Sequence, residues 1–241
     1  MSGKERVQKI ANRYHKILSV LSEYDHHGQN PELVLVTKNQ PLELVQSLLK
    51  EIQNPILGEN RVSEALTKME KINPNDATWH FIGHLQRNKV RKIGNKFSLI
   101  QSISNIPLAD ELQKRAATID EPINCLLEID ICEDGKKTGF LANIDYLKNV
   151  IQELNSRSYL KIQGLMTIAP FISTDETRPY FRKMRSIFDS LADNCESLTN
   201  VEMKILSMGM SNDYIIALEE GSTMVRIGSA VFNDTYSNPK T

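Results

Sequence analysis

Lys38 closes the run Leu33-Val34-Leu35-Val36-Thr37 and is the first residue of this chain whose setting suggests chemistry. A stem held by the rim of a buried strand would bring the amine into a partly desolvated space, where an ammonium is disfavoured and a neutral amine can form an imine with a carbonyl. For an isolated lysine the solvated strand end is the commoner reading. Two further segments bear on the choice, Ser207-Met208-Gly209-Met210-Ser211 and Arg226-Ile227-Gly228-Ser229. Gly209 and Gly228 permit close backbone approach, Ser211 and Ser229 can each donate a hydroxyl to one anion, and Gly221-Ser222 supplies the turn before Arg226. As ordinary loop residues they read equally well. Arg226 lies in the apolar run Met224-Val225-Arg226-Ile227, so an inward guanidinium needs a partner. A bound anion or a ring nitrogen would serve, and so would an ion pair with Glu128 or Asp130. His80, between Trp79 and Phe81, reads as a core histidine rather than a base, while Asn60 in Gly58-Glu59-Asn60-Arg61 adds a polar group after another apolar run. No His, Cys or carboxylate cluster has metal-ligand spacing, and no G-x-S-x-G or Walker-type loop occurs.

Positioning such groups requires elements that bring distant segments to one face. The apolar periodicity predicts strands at Leu33–Thr37, Pro55–Gly58, Trp79–Ile82, Leu99–Ile103, Ile123–Ile131, Ile162–Met166, Lys204–Ser207 and Met224–Ile227. Helices are expected between them at Leu42–Glu51, Arg61–Lys71, Arg87–Gly94, Ile106–Ala117, Ile144–Asn155, Thr177–Asp193 and Asp213–Glu219, with a short one from Gly228. Continuous apolar runs such as Cys125-Leu126-Leu127 fit parallel strands covered on both faces. Strict alternation predicts an α/β fold, a single (β/α)₈ TIM barrel, with a doubly wound open sheet as the alternative. Val7, Ile10, Tyr14, Ile17, Leu18 and Leu21 add an amphipathic N-terminal helix over about 4–24. The whole of 1–241 is then one domain, its barrel spanning about 32–232 and a polar, mobile tail 233–241. In this fold functional residues collect at the C-terminal strand ends, and a phosphate site is frequently built after strands seven and eight. Those are the positions of Lys38, Asn60, Ser207, Ser211, Arg226, Gly228 and Ser229.

The 241 residues carry a formal net charge of −1, which gives no global field for nucleic acid or an anionic membrane. Arg87, Lys89, Arg91, Lys92 and Lys96 form a basic stretch without aromatic interleaving, read as a solvated helix face or a docking patch for an acidic partner or phosphate. Three cysteines without C-x-x-C spacing argue against a disulfide framework and for a reducing cytoplasm. Neither a signal-type apolar segment nor a run of the roughly 20 apolar residues needed to span a membrane is present.

Val34-Leu35-Val36-Thr37-Lys38, Gly58-Glu59-Asn60, Trp79-His80-Phe81-Ile82-Gly83-His84-Leu85-Gln86-Arg87-Asn88-Lys89, Gly164-Leu165-Met166, Ser207-Met208-Gly209-Met210-Ser211 and Gly221-Ser222-Thr223-Met224-Val225-Arg226-Ile227-Gly228 occur in the order in which a known family carries them. From about Leu33 to Phe232 the chain resembles the YggS/PROSC-type pyridoxal 5′-phosphate (PLP) homeostasis proteins, which share the barrel of alanine racemases, PLP fold type III. The resemblance implies that PLP is the cofactor, that Lys38 is its Schiff-base lysine, and that Ser211, Gly228 and Ser229 surround the phosphate. It further implies that Arg226 faces the pyridine nitrogen and that Asn60, His80 and Ser207 line the ring or its neighbourhood. Thr37 stands where the family usually has Ser, Ser229 where it often has Thr, and Lys137-Thr138-Gly139 looks like its Lys-Ser-Gly segment; each change keeps a hydroxyl. The expected function is carriage and regulation of intracellular PLP (vitamin B6 homeostasis) without efficient catalysis, by a monomer that passes PLP to apo-enzymes. A cationic neighbour weakens the ring as an electron sink, and the chain runs only about ten residues past the barrel, without the domain that supplies the second base of alanine racemases. A slow racemase, and a barrel binding another phosphorylated metabolite non-covalently, are the alternatives.

Overall fold

The computed structural model describes residues 2–24, 28, 30–93, 95–132, 138–195 and 198–236, apart from the Asp175 side chain. Parallel strands β1 (Glu32–Val36), β2 (Ile56–Glu59), β3 (Thr78–Phe81), β4 (Leu99–Ile103), β5 (Ile123–Asp130), β7 (Leu160–Thr167), β8 (Val201–Ser207) and β9 (Met224–Ile227) pair in that order. β9 returns to β1 in register Val34↔Arg226, and β4 joins β5, so the sheet closes into an eight-stranded barrel. The one strand the periodicity misses is β6 (Phe140–Leu141), two residues added to the edge of β5 after the Glu133–Lys137 segment.

The helices are α1 (Gly3–Leu21), α2 (Leu42–Leu48), α3 (Val62–Met69), α4 (Val90–Ile93), α5 (Ile106–Ile119), α6 (Ile144–Leu154), α7 (Thr174–Ala192), α8 (Tyr214–Glu219) and α9 (Ser229–Phe232). α1 opens with a capping box in which Ser2 Oγ accepts from the Glu5 N–H and the Glu5 carboxylate accepts from the Ser2 N–H. Its buried stripe, Val7, Ile10, Ala11, Tyr14, Ile17 and Leu21, packs on α2, α9 and β1. α7 begins three residues before the expected Thr177, because Glu176 reaches back to the Ser173 N–H at 3.2 Å and starts the helix ahead of Pro179. The basic stretch forms a 3₁₀ turn (Arg87–Lys89) and α4; Val90 and Ile93 are buried while Arg87, Arg91, Lys92 and Lys96 face solvent. The expected tail is anchored as far as it is described: Asp234 pairs with Arg13 at 3.0 Å and the Tyr236 hydroxyl donates to the Ser211 carbonyl. Among the described residues no helix is long and apolar enough to cross a membrane.

Alternation along the strands divides the core in two. Outward residues such as Cys125, Leu127, Ile129, Val225 and Ile227 meet the helices, whereas Val34, Leu99, Leu126, Met166 and Met224 plug the barrel interior. Two positions further along their strands from this plug come Gln101, Glu128 and Arg226, so the interior turns from apolar to polar toward the C-terminal strand ends. Gly164, φ 142°, allows β7 and β8 to close here, since a Cβ would lie 1.9 Å from the Ile205 carbonyl oxygen.

Candidate active site at the barrel mouth

The polar layer opens into a cavity of about 730 Å³ at the C-terminal strand ends, within the roughly 300–1,000 Å³ usual for small-molecule sites. Of the residues singled out in the sequence, Lys38, Asn60, Ser211, Arg226, Gly228 and Ser229 line it. Ser207 and His80 lie below, in the polar layer that supports Arg226. Glu128, Asp130, Thr138 and Asp213 line the same cavity, and its rim carries Phe171, Ile172 and Met210, all exposed. Lys137 lies outside the described residues.

Lys38 occupies a tight turn after β1 that is closed by the Gln40 N–H donating to the Thr37 carbonyl at 3.0 Å. β1 itself is buried from Leu33 onward, but Lys38 emerges exposed at the lip, so any desolvation of its amine has to come from what binds in the cavity.

The loops after β8 and β9 form one unit. Gly209 bends the first with φ 93°, and the Met210 N–H donates to Asp213 Oδ1 at 2.6 Å. Ser211 Oγ accepts from the Ala230 N–H at 3.1 Å, which locks the two loops together and leaves the hydroxyl proton uncommitted. Among the described residues no acceptor takes the N–H groups of Ser211 and Asn212. Beneath them the Ser222 hydroxyl lies 2.7 Å from the Met208 carbonyl. With Ser229 opening α9 beside them, these groups offer an anion two loops of donors.

Arg226 is buried and its donors fix the polarity of everything below it. Nη2 donates to the Thr167 carbonyl at 2.8 Å and Nη1 to Ser207 Oγ at 2.7 Å. Because a guanidinium only donates, Ser207 must turn its proton toward Gln101 Oε1, 2.7 Å away. The Gln101 amide then presents N–H to Met224 Sδ and, at 3.1 Å, to His80 Nδ1, so Nδ1 is the acceptor and the ring proton sits on Nε2. Burial depresses His80 to about 4, which agrees with a neutral ring. Burial also lowers Arg226 to about 10, against the pull of Asp213 and Glu128, leaving it a cation at neutral pH. No carboxylate among the described residues stands within ion-pair distance of it; Glu128 and Asp213 balance it from further away.

Burial in turn pushes Glu128 up to about 7, with Arg226 and a hydrogen bond from Thr138 opposing and Asp130 reinforcing. Among the described residues Glu128 Oε2 and Asn60 Oδ1 are buried without a hydrogen-bond partner, as acceptors reserved for a ligand would be. Sequence reasoning did not single out Gln101, Thr167 or Asp213. Gln101 was findable, since Leu99-x-Gln101 repeats the inward alternation of Met224-x-Arg226.

A second hollow, of about 610 Å³ at the opposite end of the barrel, is lined by the starts of β5, β7 and β8 and contains none of the candidate site residues singled out in the sequence. Among the described residues no group of His, Cys, Asp or Glu is disposed to hold a metal ion.

The family model described as alanine racemase, N-terminal domain, matches residues 10–235. A pyridoxal phosphate homeostasis protein of Aquifex aeolicus is 37% identical over 239 residues, covering 97% of this chain and 99% of the relative. PipY of Synechococcus elongatus, solved without PLP and with PLP bound, is 30% identical over 93% of this chain and all of its own, with TM-scores of 0.82 and 0.77. An alanine racemase of Clostridium difficile shares the fold at 16% identity and a TM-score of 0.71, over 94% of this chain and 57% of the racemase.

Proposed function

Since the chain belongs to the alanine racemase N-terminal domain family, together with relatives named pyridoxal phosphate homeostasis proteins, we propose that it binds PLP and serves PLP homeostasis, holding the cofactor as a Schiff base on Lys38. The observation that carries this reading is that an amine, a buried guanidinium and a two-loop anion cradle open into one cavity. Their chemistry suits the group. Ser211, Asn212 and Ser229 provide donors for a phosphate, Arg226 a cation for the pyridine nitrogen, and Lys38 an amine for the aldehyde. Asn60 contributes an unpartnered acceptor, while Ser207 and His80 act from below by fixing the Arg226 fork. Gly228 keeps the cradle close to β1, where a Cβ would come within 3.2 Å of Val36.

When bound, PLP supplies a reactive aldehyde and a ring that can draw electrons from a substrate carbanion. Arg226 works against the second property, because a fixed cation opposes protonation of the ring nitrogen. The neutral His80 is committed through Nδ1 to Gln101 and lies beneath the cavity, which leaves it poorly disposed as a base. These residues favour reversible retention over efficient turnover, and hence a carrier that releases PLP to apo-enzymes. The carrier proposed is a monomeric, cytoplasmic protein.

The test is the near-visible absorption spectrum with and without added PLP, followed by borohydride reduction and peptide mapping. A reducible adduct on Lys38 is expected, and Lys38→Ala should lose the absorption band while remaining folded. A band that survives in Lys38→Ala would sink the assignment, and the absence of any reducible adduct would favour a barrel that binds another phosphorylated metabolite non-covalently. Rapid α-deuterium exchange in amino acids would favour a racemase.

A further inference from the structure

The turn that carries Lys38 is held from behind by charged residues that do not line the cavity. We propose that Lys68, Glu59 and Glu64 form a buried positioning device for Lys38, fixing the Thr37–Gln40 turn in the one conformation from which its amine addresses the cavity. This rests on the assignment of Lys38 as the PLP lysine.

Thr37 precedes Lys38 and is fully buried. Its carbonyl accepts from Lys68 Nζ at 2.7 Å as well as from the Gln40 N–H that closes the turn, and its hydroxyl donates to Glu59 Oε1 at 2.7 Å. Asn39 follows Lys38 in a left-handed conformation, φ 61°, and its N–H donates to Glu64 Oε1 at 2.7 Å. Lys68 Nζ joins the two anchors, lying 2.6 Å from Glu59 Oε1 and 3.0 Å from Glu64 Oε1. All three ammonium protons are thereby used, on Thr37, Glu59 and Glu64. Both neighbours of Lys38 are gripped while the lysine side chain is left unclamped and exposed.

Stability alone is a weak reason for such a cluster. A buried lysine is uncommon, and replacing a buried ion pair with apolar residues is often neutral or stabilising. What it achieves locally is an over-determined turn around a non-glycine residue at positive φ, as expected where backbone strain serves a functional side chain. In the step served, the Lys38 nitrogen bonds to the aldehyde carbon and the aldehyde oxygen leaves as water with the two amine protons. Its rate depends on how often the amine is presented correctly.

Glu64 is the residue to vary, because it is partly exposed and its replacement does not strip Glu59 of its cation. Glu64→Ala and Glu64→Gln are compared with the unaltered chain by stopped-flow absorbance on adding PLP, with borohydride mapping of the adduct and thermal unfolding in parallel. Glu64→Ala should slow adduct formation about tenfold or more with little change in the unfolding midpoint. Glu64→Gln, which keeps an oxygen for the Asn39 N–H, should recover most of the rate. Adduct formation in Glu64→Ala at the unaltered rate, or equal loss in both variants, overturns the positioning role alone. Failure of the unaltered chain to label Lys38 overturns the PLP assignment and the positioning role with it.

Discussion

Replacing Glu128 with Gln should make the ligand-free protein more stable at alkaline pH and leave it nearly unchanged in acid. Glu128 is only 9% exposed, inside the barrel on β5, with Oε2 unpartnered. Burial raises its pKa from 4.5 to about 7, and the Arg226 cation and the Thr138 hydrogen bond offset this only in part. Between these values the folded protein keeps a proton that the unfolded chain has lost. The stability associated with that proton is therefore complete below 4.5 and is lost as pH rises through about 7. At about 1.4 kcal/mol per pH unit, the rise from 4.5 to about 7 amounts to about 3 kcal/mol. Glutamine has the shape of the protonated acid and does not titrate. Urea unfolding of both proteins at several pH values between about 4.5 and 8.5 should give free-energy curves that meet at the acid end and diverge by about 3 kcal/mol at the other. Taking the difference between the two proteins cancels the titrating groups that do not interact with Glu128, His80 among them. A difference that stays constant across the range would refute the argument, since Glu128 would then titrate alike in folded and unfolded chains.

Two further outcomes follow from the polar layer and the loops above it. Burial lowers His80 from 6.5 to about 4, so its contribution to stability is complete above 6.5 and is lost as pH falls through about 4. An NMR titration should find this imidazole neutral, with the proton on Nε2, down to about 4, and a midpoint near 6.5 would contradict its burial. Gly209→Ala forces a side chain onto φ 93° with its Cβ 2.5 Å from that of Ala217. It should cost about 1–3 kcal/mol in denaturant unfolding. A loss under about 0.5 kcal/mol would mean that the loop relaxes freely.

The barrel was legible because its signals are local. Most of the eight barrel strands contain a short apolar run and most of the following helices an amphipathic one, so alternation led to the barrel, with an open doubly wound sheet as the alternative. β8 was recognised only from Lys204, because its first half alternates with charged residues. At α7 the S-x-x-E pattern at Ser173 and Glu176 was present in the sequence and marks a start three residues ahead of the expected Thr177. β6 left no signal because two residues have no period. Lys38 and the two Gly/Ser loops could be placed at strand ends for the same reason as the strands, each being a short motif there, while the roles expected of them came from the family resemblance.

The relations among those motifs were much less legible, because they are created by closure. Arg226, Ser207, Gln101 and His80 belong to four strands, and nothing along the chain says that β9, β8, β4 and β3 bring these side chains within hydrogen-bond reach of one another. Given alternation, the inward facing follows: Arg226, Ser207 and Gln101 lie two positions after the inward apolar residues Met224, Ile205 and Leu99, and His80 two before Ile82, level with Leu99 across the β3–β4 pairing. In the sequence, Arg226 had a bound anion, a ring nitrogen or an ion pair with Glu128 or Asp130 as candidate partners. Instead the structure supplies a serine hydroxyl and a backbone carbonyl as direct partners, with carboxylates at longer range. That difference matters chemically. A guanidinium neutralised by a touching carboxylate would present little net field to a ring nitrogen, whereas one held by neutral oxygens keeps its charge directed into the cavity, where it opposes protonation of whatever base lies opposite.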